Sequence, residues 1–325
     1  MEKYQTSVKI NLDNLINNYR NIKKRVKGKK VIPVIKADAY GHGAEICAQA
    51  LTREGADMFA VSSVYEAMCL RDYGIKEDIL ILGYVPDRKI HKIIENNITP
   101  AIYNLDFARK LNEEATLLNK KIKVHIKINT GMNRLGFNEE EIDEAFEQIK
   151  SFDNLITEGL FSHFSTSDEE DKTYSKNQFE IFKYAIQKSE EYGLNIKIKH
   201  IANSAAITDL EEYSLDAVRA GIVLYGIYPS QVTPKNNPYK PVMTFHTSIS
   251  NIFDVKKGAS IGYGRTFTAE EDMKVGVMCA GYADGYNRKL SNRAEVLVDN
   301  KYKCKVIGNV CMDMTMLEIP KNADI

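Results

Sequence analysis

The chain has 325 residues, with Lys+Arg and Asp+Glu both at 44, which suits one large domain plus a smaller one. This balance excludes the basic excess that nucleic acid or an anionic membrane surface requires. Met1–Leu12 carries charges and no apolar run, so no secretory leader is read there. No stretch approaches the roughly 20 apolar residues that span a bilayer. Cys47, Cys69, Cys279, Cys304 and Cys311 are scattered, without C-x-x-C spacing. That argues against a disulfide frame or a zinc knuckle and for a reducing cytoplasm; no metal site is read.

Short apolar or β-branched runs recur through the first two-thirds. They are Val31–Ile35, Phe59–Ser63, Ile79–Tyr84, Thr99–Tyr103, Lys123–Ile128, Ile156–His163, Ile196–His200 and Ala217–Leu224. Their spacing leaves room for a crossover helix each time. His42–Gly55, Asn104–Asn119 and Gln178–Tyr192 have helical periodicity with charge on one face. The alternation predicts a (β/α)₈ TIM-type barrel, with a doubly wound open sheet as the alternative. From Pro241 the pattern changes to Met243–Phe253, Lys274–Gly281, Ala294–Asp299, Lys303–Gly308 and Met314–Ile319, separated by turns. This predicts a C-terminal, mainly β domain. The expected division is 1–235 for the barrel and 236–325 for the β domain, with the boundary in the Pro- and Asn-rich Ser230–Pro241.

Three segments of the barrel region carry candidate chemistry. Val31–Lys36 is a buried-type strand ending on a lysine, followed by Ala-Asp-Ala-Tyr40-Gly-His-Gly. A partly desolvated lysine at the C-terminal end of a barrel strand suits condensation with a carbonyl cofactor; a surface lysine at a strand end is the plainer alternative. In Lys123–Asn129, alternation puts His125, Lys127 and Asn129 on one face and Val124, Ile126 and Ile128 on the other. The polar face then points into the barrel, where a lysine must be paired or neutralised. Arg134, just beyond, is suited to a carboxylate, or is a surface arginine. In His200-Ile-Ala-Asn203-Ser204 and Ala217-Val-Arg219-Ala-Gly221-Ile222, Ser204 and the Gly221 backbone offer donors to a phosphate, with Arg219 nearby. Asn203 and Ser204 read equally as an ordinary helix N-cap. In the β region, Gly262-Tyr263-Gly-Arg265, Gly281-Tyr282-Ala-Asp284 and Cys311-Met312-Asp313 join small residues to a Tyr or Asp. Each alone reads as a turn with a packed aromatic.

Together these segments resemble alanine racemases, a fold-type III pyridoxal-phosphate family. The resemblance rests on KADAYGHG at Lys36, NTGMNRLG ending at Gly136, SHFSTSDE at Ser162, HIANSAA at His200, RAGIVLYG at Arg219, GYGRTF at Gly262, GYADGY at Gly281 and CMDMTM at Cys311. It implies pyridoxal 5′-phosphate linked to Lys36, which also acts as base on one face of the substrate Cα. It implies Tyr263 as the base on the opposite face, reaching in from the other subunit of a homodimer. Tyr40, Asn203, Ser204, Gly221 and Ile222 would hold the phosphate end. Arg219 would face the pyridine nitrogen, with His163 and His200 ordering it and Tyr263. Arg134 and Met312 would meet the substrate carboxylate, with Asp313 and Tyr282 beside them, and Lys127 would be carbamylated (N6-carboxylysine). The implied reaction interconverts L- and D-alanine by a two-base mechanism, in the cytoplasm, supplying D-alanine for peptidoglycan.

Two departures accompany the resemblance. Asn129 stands where the family usually has Asp, and the chain stops at Ile325, short of the family's usual end, so the β domain is expected to lack its last part. A serine or broader-specificity racemase and an inactive truncated form remain alternatives. A same-fold decarboxylase is disfavoured by Arg219, and a non-catalytic barrel protein by the presence of the β region.

Overall fold

The computed structural model describes residues 5–229 and 237–325. The chain separates into two compact units: Ile10–Val242, and Met243–Ile325 with the described part of Met1–Lys9. The expected boundary segment Ser230–Pro241 lies partly outside the described residues.

The first unit is a barrel of eight parallel strands among the described residues. They are β2 (Lys30–Pro33), β3 (Met58–Val61), β4 (Asp78–Ile81), β5 (Thr99–Ile102), β6 (Ile122–Lys127), β7 (Leu155–Phe161), β8 (Ile198–His200) and β9 (Ala217–Ala220). Ladders run from β3 through β8 in order, and β2 pairs with β9. The Val34–Ala60 bridge joins β2 to β3. Asp216 N–H to Lys199 O (3.1 Å) and Arg219 N–H to Ala202 O (3.0 Å) join β8 to β9 and close the ring.

Period-two alternation sorts the side chains into two apolar layers. Val31, Ile35, Phe59, Val61, Ile79, Val124 and Ile126 face the surrounding helices. Ile32, Val34, Met58, Ala60, Leu80 and Ala217 fill the interior. Phe59, Phe146 and Phe182 are fully buried, each worth about 2–3 kcal/mol of hydrophobic stabilisation.

The helices start where cap chemistry dictates. Asn11 caps α1 (Leu12–Arg25) and Asn104 caps α6 (Leu105–Leu117) through side-chain acceptors. Ser63 and Glu66 form a reciprocal capping box on α4 (Val64–Asp72). The expected helices His42–Gly55 and Gln178–Tyr192 are observed as α3 (Ala44–Arg53) and α8 (Thr173–Glu191). The expected strand Ala217–Leu224 ends at Ala220, and Ile222–Tyr225 instead forms a 3₁₀ turn. Helix α1 and strand β1 (Ser7–Ile10) lie outside the elements expected from sequence.

The second unit is mainly β. A five-stranded antiparallel sheet has the order β11 (Ile249–Val255), β14 (Met273–Met278), β17 (Thr315–Ile319), β16 (Tyr302–Ile307), β15 (Glu295–Val298). Leu317 and Ile319 pack with Met278, Cys304 and Val306 on one face. Met316, next to Leu317 in sequence, packs with Val255, Ile261 and Val275 on the other. The Met243–Phe253 run is broken into β10 (Met243–His246) and β11. β10 pairs with β1, and Thr6 Oγ1 donates to Cys279 O at 2.6 Å.

Candidate active site

The interior alternation of the barrel continues beyond the strand ends and puts Lys36, Ser62, Leu82, Lys127, His163 and Gly221 around one cavity of about 430 Å³, at the C-terminal mouth. Tyr40, Arg134, Asn203, Ser204, Arg219 and Ile222 also line it. Most of the barrel residues singled out from sequence are thus brought together; His125, Asn129 and His200 do not line the cavity.

Lys36 opens α2 (Lys36–Gly41), a single turn wound the wrong way. Ala37, Asp38, Ala39 and Tyr40 have φ of 51, 52, 53 and 56°, the left-handed region, which costs an L-residue about 1–2 kcal/mol each. The surroundings hold it. Glu66 Oε1 accepts from Ala37 N–H (2.7 Å) and Asp38 Oδ1 from Ala44 N–H (2.7 Å). His42 Nδ1 donates to the carbonyls of Ala39 and Tyr40 (2.9 and 3.1 Å). The rings of Tyr40 and His42 pack on Tyr225 at 5.1 and 4.5 Å. Glu66 Oε2 meanwhile accepts from Ser62 N–H and Oγ–H (2.7 and 2.9 Å) and from Ser63 N–H (3.1 Å). One carboxylate therefore ties the lysine turn to the β3–α4 loop. Burial pushes its pKa up, but these donors outweigh that and leave it below the usual value. Burial, then the nearby Arg134 charge, lowers Lys36 below an ordinary lysine.

At the cavity's other end, Ser204 Oγ accepts from Gly221 N–H (3.0 Å) and Val223 N–H (3.4 Å), so its own hydrogen is free to be donated. A Cβ on Gly221 would lie 2.9 Å from Tyr40 Oη and 3.3 Å from Ser204 Oγ; glycine keeps this hollow open. Asn203 is the expected N-cap, accepting from Ala206 N–H at 3.1 Å and from Ser167 Oγ–H at 2.8 Å.

Arg219 lies on the floor, fully buried. Its Nη atoms donate to His200 Nδ1 (2.6 Å), His163 Nδ1 (3.0 Å) and the carbonyls of His200, Ser162 and Ile201. Both imidazoles must accept there, since a guanidinium cannot. Burial, then Arg219's charge, holds both well below the ordinary histidine value, so they are neutral. Burial pulls Arg219 itself down to about 9, with Arg134 adding to it, so it stays cationic at neutral pH.

Lys127 points inward beside the Phe161 ring, 5.4 Å from its centroid. Burial, then the charges of Arg134, Arg219 and Lys36, brings it down to about 8. Asn129 turns instead to its own loop. Its amide donates to Asn133 Oδ1 (2.9 Å) and Asn138 Oδ1 (2.8 Å), which no carboxylate could do. Its oxygen accepts from Gly131 and Asn133 N–H.

Tyr263, Tyr282, Met312 and Asp313 belong to the second unit, on loops tied to one another. Asn309 Nδ2 donates to Tyr263 O (2.6 Å), and Tyr282 and Ala283 N–H donate to Cys311 and Met312 O (both 3.0 Å). Tyr263 is 72% exposed and Met312 53%. Sequence reasoning missed Glu66, although Ser63-x-x-Glu66 is a capping-box signature. It also missed Glu158, for which no local signal exists.

Both units match family models: residues 10–229 match the alanine racemase N-terminal domain and residues 242–325 the alanine racemase C-terminal domain. Alanine racemase 2 of Caldanaerobacter subterraneus subsp. tengcongensis is 46% identical, over 97% of this chain and 81% of that protein. The alanine racemase of Clostridium difficile 630 superposes with a TM-score of 0.93 at 40% identity, over 100% of this chain and 85% of that one. The Bacillus anthracis alanine racemase, solved with bound L-Ala-P, superposes with a TM-score of 0.89 at 29% identity, over 99% of this chain and 84% of that one. These matches define the class of the protein, an isomerase of the racemase type. The chain belongs to the alanine racemase family and interconverts L- and D-alanine.

Proposed function

We propose that the cavity holds pyridoxal 5′-phosphate, attached to Lys36, and that two opposed bases racemise alanine there. The single observation that carries this reading is the cradle formed by Tyr40 Oη, Ser204 Oγ and the bare Gly221 in one cavity with Lys36. A phosphate would fit the hollow, Lys36 would hold the carbonyl end of the cofactor and Arg219 would face its ring. Tyr40, Ser204 and the backbone of Gly221 and Ile222 hold the phosphate, and Asn203 fixes the start of the Ser204 helix. The five Arg219 bonds use only its Nη atoms, so the Nε–H is the donor left for the ring. When bound, the cofactor supplies the electron sink that makes a Cα proton removable.

Lys36, with its lowered pKa, takes or returns the Cα proton on one face. Tyr263 of the partner subunit serves the other face, and neutral His163, whose Nδ1 accepts from Arg219, turns its Nε2–H toward it. Arg134 grips the substrate carboxylate, with Met312, Tyr282 and Asp313 of the partner subunit closing the pocket. The neutral Lys127 amine adds CO₂ and releases a proton, and the resulting carbamate is an anion beside Arg134. Exposed Tyr263, Tyr282 and Met312 on one set of loops suit a surface covered in a homodimer. The barrel unit thus carries cofactor chemistry and the β unit the second base. We place the enzyme in the cytoplasm, making D-alanine for peptidoglycan; no helix among the described residues is long and apolar enough to cross a membrane.

Mixing Lys36→Ala with Tyr263→Ala protein tests the reading. Each alone is dead. A mixed dimer has one intact site, so racemisation of L-alanine returns. A dead mixture in which mixed dimers are shown to form would place both bases in one chain.

A further inference from the structure

A column of polar side chains runs down the barrel interior from the cavity floor. Arg219 Nη1 donates to His200 Nδ1, and His200 Nε2 lies 2.8 Å from His125 Nδ1. His125 Nε2 faces Glu158 Oε2 at 3.7 Å. These two atoms are buried and have no hydrogen-bond partner among the described residues. The other Glu158 oxygen is 3.0 Å from Lys123 Nζ, which also meets Asp78 at 2.8 Å.

The protonation pattern follows from one end. Arginine cannot accept, so His200 Nδ1 is bare and, in a neutral ring, Nε2 carries the hydrogen. His125 Nδ1 must then accept, which leaves its hydrogen on Nε2, aimed at the carboxylate. The opposite assignment would set two N–H groups against each other at one of the joints. Burial lowers His125, keeping it neutral, while the His125 N–H and then the Lys123 cation draw Glu158 down to about 2 against the effect of its own burial.

A backbone irregularity puts the carboxylate there. Val124 pairs with Thr157, but His125 pairs with Gly159, so Glu158 is an extra residue in β7. Such a bulge re-aims a side chain, and both Glu158 and Gly159 reach the interior. A Cβ on Gly159 would lie 2.3 Å from His125 Nδ1, so glycine there makes room for the ring.

We propose that Glu158 is a positioning residue, the anionic end that faces the His125 Nε2–H and so holds the rings of His125 and His200, and through them Arg219, from the far side of the barrel. This rests on Arg219 as the residue facing the cofactor ring.

The test uses holoenzyme labelled with ¹⁵N-histidine, as wild type, Glu158→Leu and Glu158→Gln. Two-bond ¹H–¹⁵N correlation reads each tautomer, and kcat and KM for L-alanine are measured alongside. Wild-type His125 and His200 are expected with a bare Nδ1 and a protonated Nε2. In Glu158→Leu, Arg219 still dictates the tautomers, but the His125 Nε2–H loses the carboxylate it faces, so the His125 signals shift and kcat falls about tenfold, ~1.4 kcal/mol, with KM changed less than about twofold. Glutamine keeps an oxygen acceptor, so Glu158→Gln retains the wild-type His125 signals and most of the rate. A protonated Nδ1 on wild-type His125 overturns the proposal without any variant, so a leucine variant that fails to fold does not protect it. Unchanged histidine signals in Glu158→Leu, or changed signals with an unchanged kcat, also overturn it. Failure of the cofactor reading shows separately, as the absence of a borohydride-reducible adduct at Lys36.

Discussion

Replacing Glu66 with alanine removes the acceptor of four donors at once: Ala37 N–H on one oxygen and Ser62 N–H, Ser62 Oγ–H and Ser63 N–H on the other. A hydrogen bond to a charged group contributes about 1.5–3 kcal/mol. The site is partly open, so water replaces some of these bonds, and the four share one side chain and do not add. A net loss of about 2–3 kcal/mol is expected. The left-handed turn then loses its main tether while keeping a strain of about 1–2 kcal/mol per residue, so Lys36 loses its position as well. Urea unfolding should show the stability loss with m unchanged, and kcat should fall about tenfold or more. Glutamine should not rescue. Every backbone group facing the carboxylate is a donor, so the new NH₂ must oppose N–H groups at one end or the other. Wild-type stability and rate in Glu66→Ala, or full rescue by glutamine, would refute the tether.

Three further outcomes are expected. Gly221→Ala puts a Cβ 2.9 Å from Tyr40 Oη, and titration should show pyridoxal phosphate bound about tenfold or more weakly, ~1.4 kcal/mol, with little change in the melting temperature of the cofactor-free protein. Lys127 at about 8 offers its neutral, CO₂-reactive amine about two pH units below an ordinary lysine. ¹³C-bicarbonate should therefore give a carbamate signal near neutral pH that is absent in Lys127→Met; no signal would mean that another anion neutralises the site. Tyr263→Phe should stop Cα-hydrogen exchange with solvent for L-alanine more than for D-alanine, as read by NMR in D₂O, and equal losses would argue for a single base.

Much of the barrel is legible in the sequence because its strands are buried on both faces and read as apolar runs. The inward register of His125 and Lys127 follows from alternation alone, and Lys36 from its place at a strand end. The left-handed turn is hidden for a physical reason. Ala37, Asp38, Ala39 and Tyr40 carry side chains where the conformation favours glycine, so only the packing of Tyr40 and His42 on Tyr225, with the Glu66 tether, sustains it. Glu158 is hidden because a bulge shifts the register between residues 157 and 159, and a bulge leaves no mark in period-two hydrophobicity. Strand β1 is hidden because its partner, β10, is more than 200 residues away in sequence. In the β unit, no local feature of Tyr263 or Met312 separates a site residue from a turn residue; only the family resemblance singled them out.

The turn at Lys36–Tyr40 has a metrological consequence. On the proposed reading, its first residue holds one end of the cofactor and its last residue touches the other. Neither contact can be tuned without the other, because both hang from the same four peptide units. The segment acts as a fixed gauge for one molecule's length, seated by Glu66 on one side and by the Tyr225 ring on the other. An inserted or deleted residue between Lys36 and Gly43 would change the gauge itself, and no loop lies within it to absorb the error. Variation in this enzyme should therefore be accepted in the loops around the cavity well before it is accepted here.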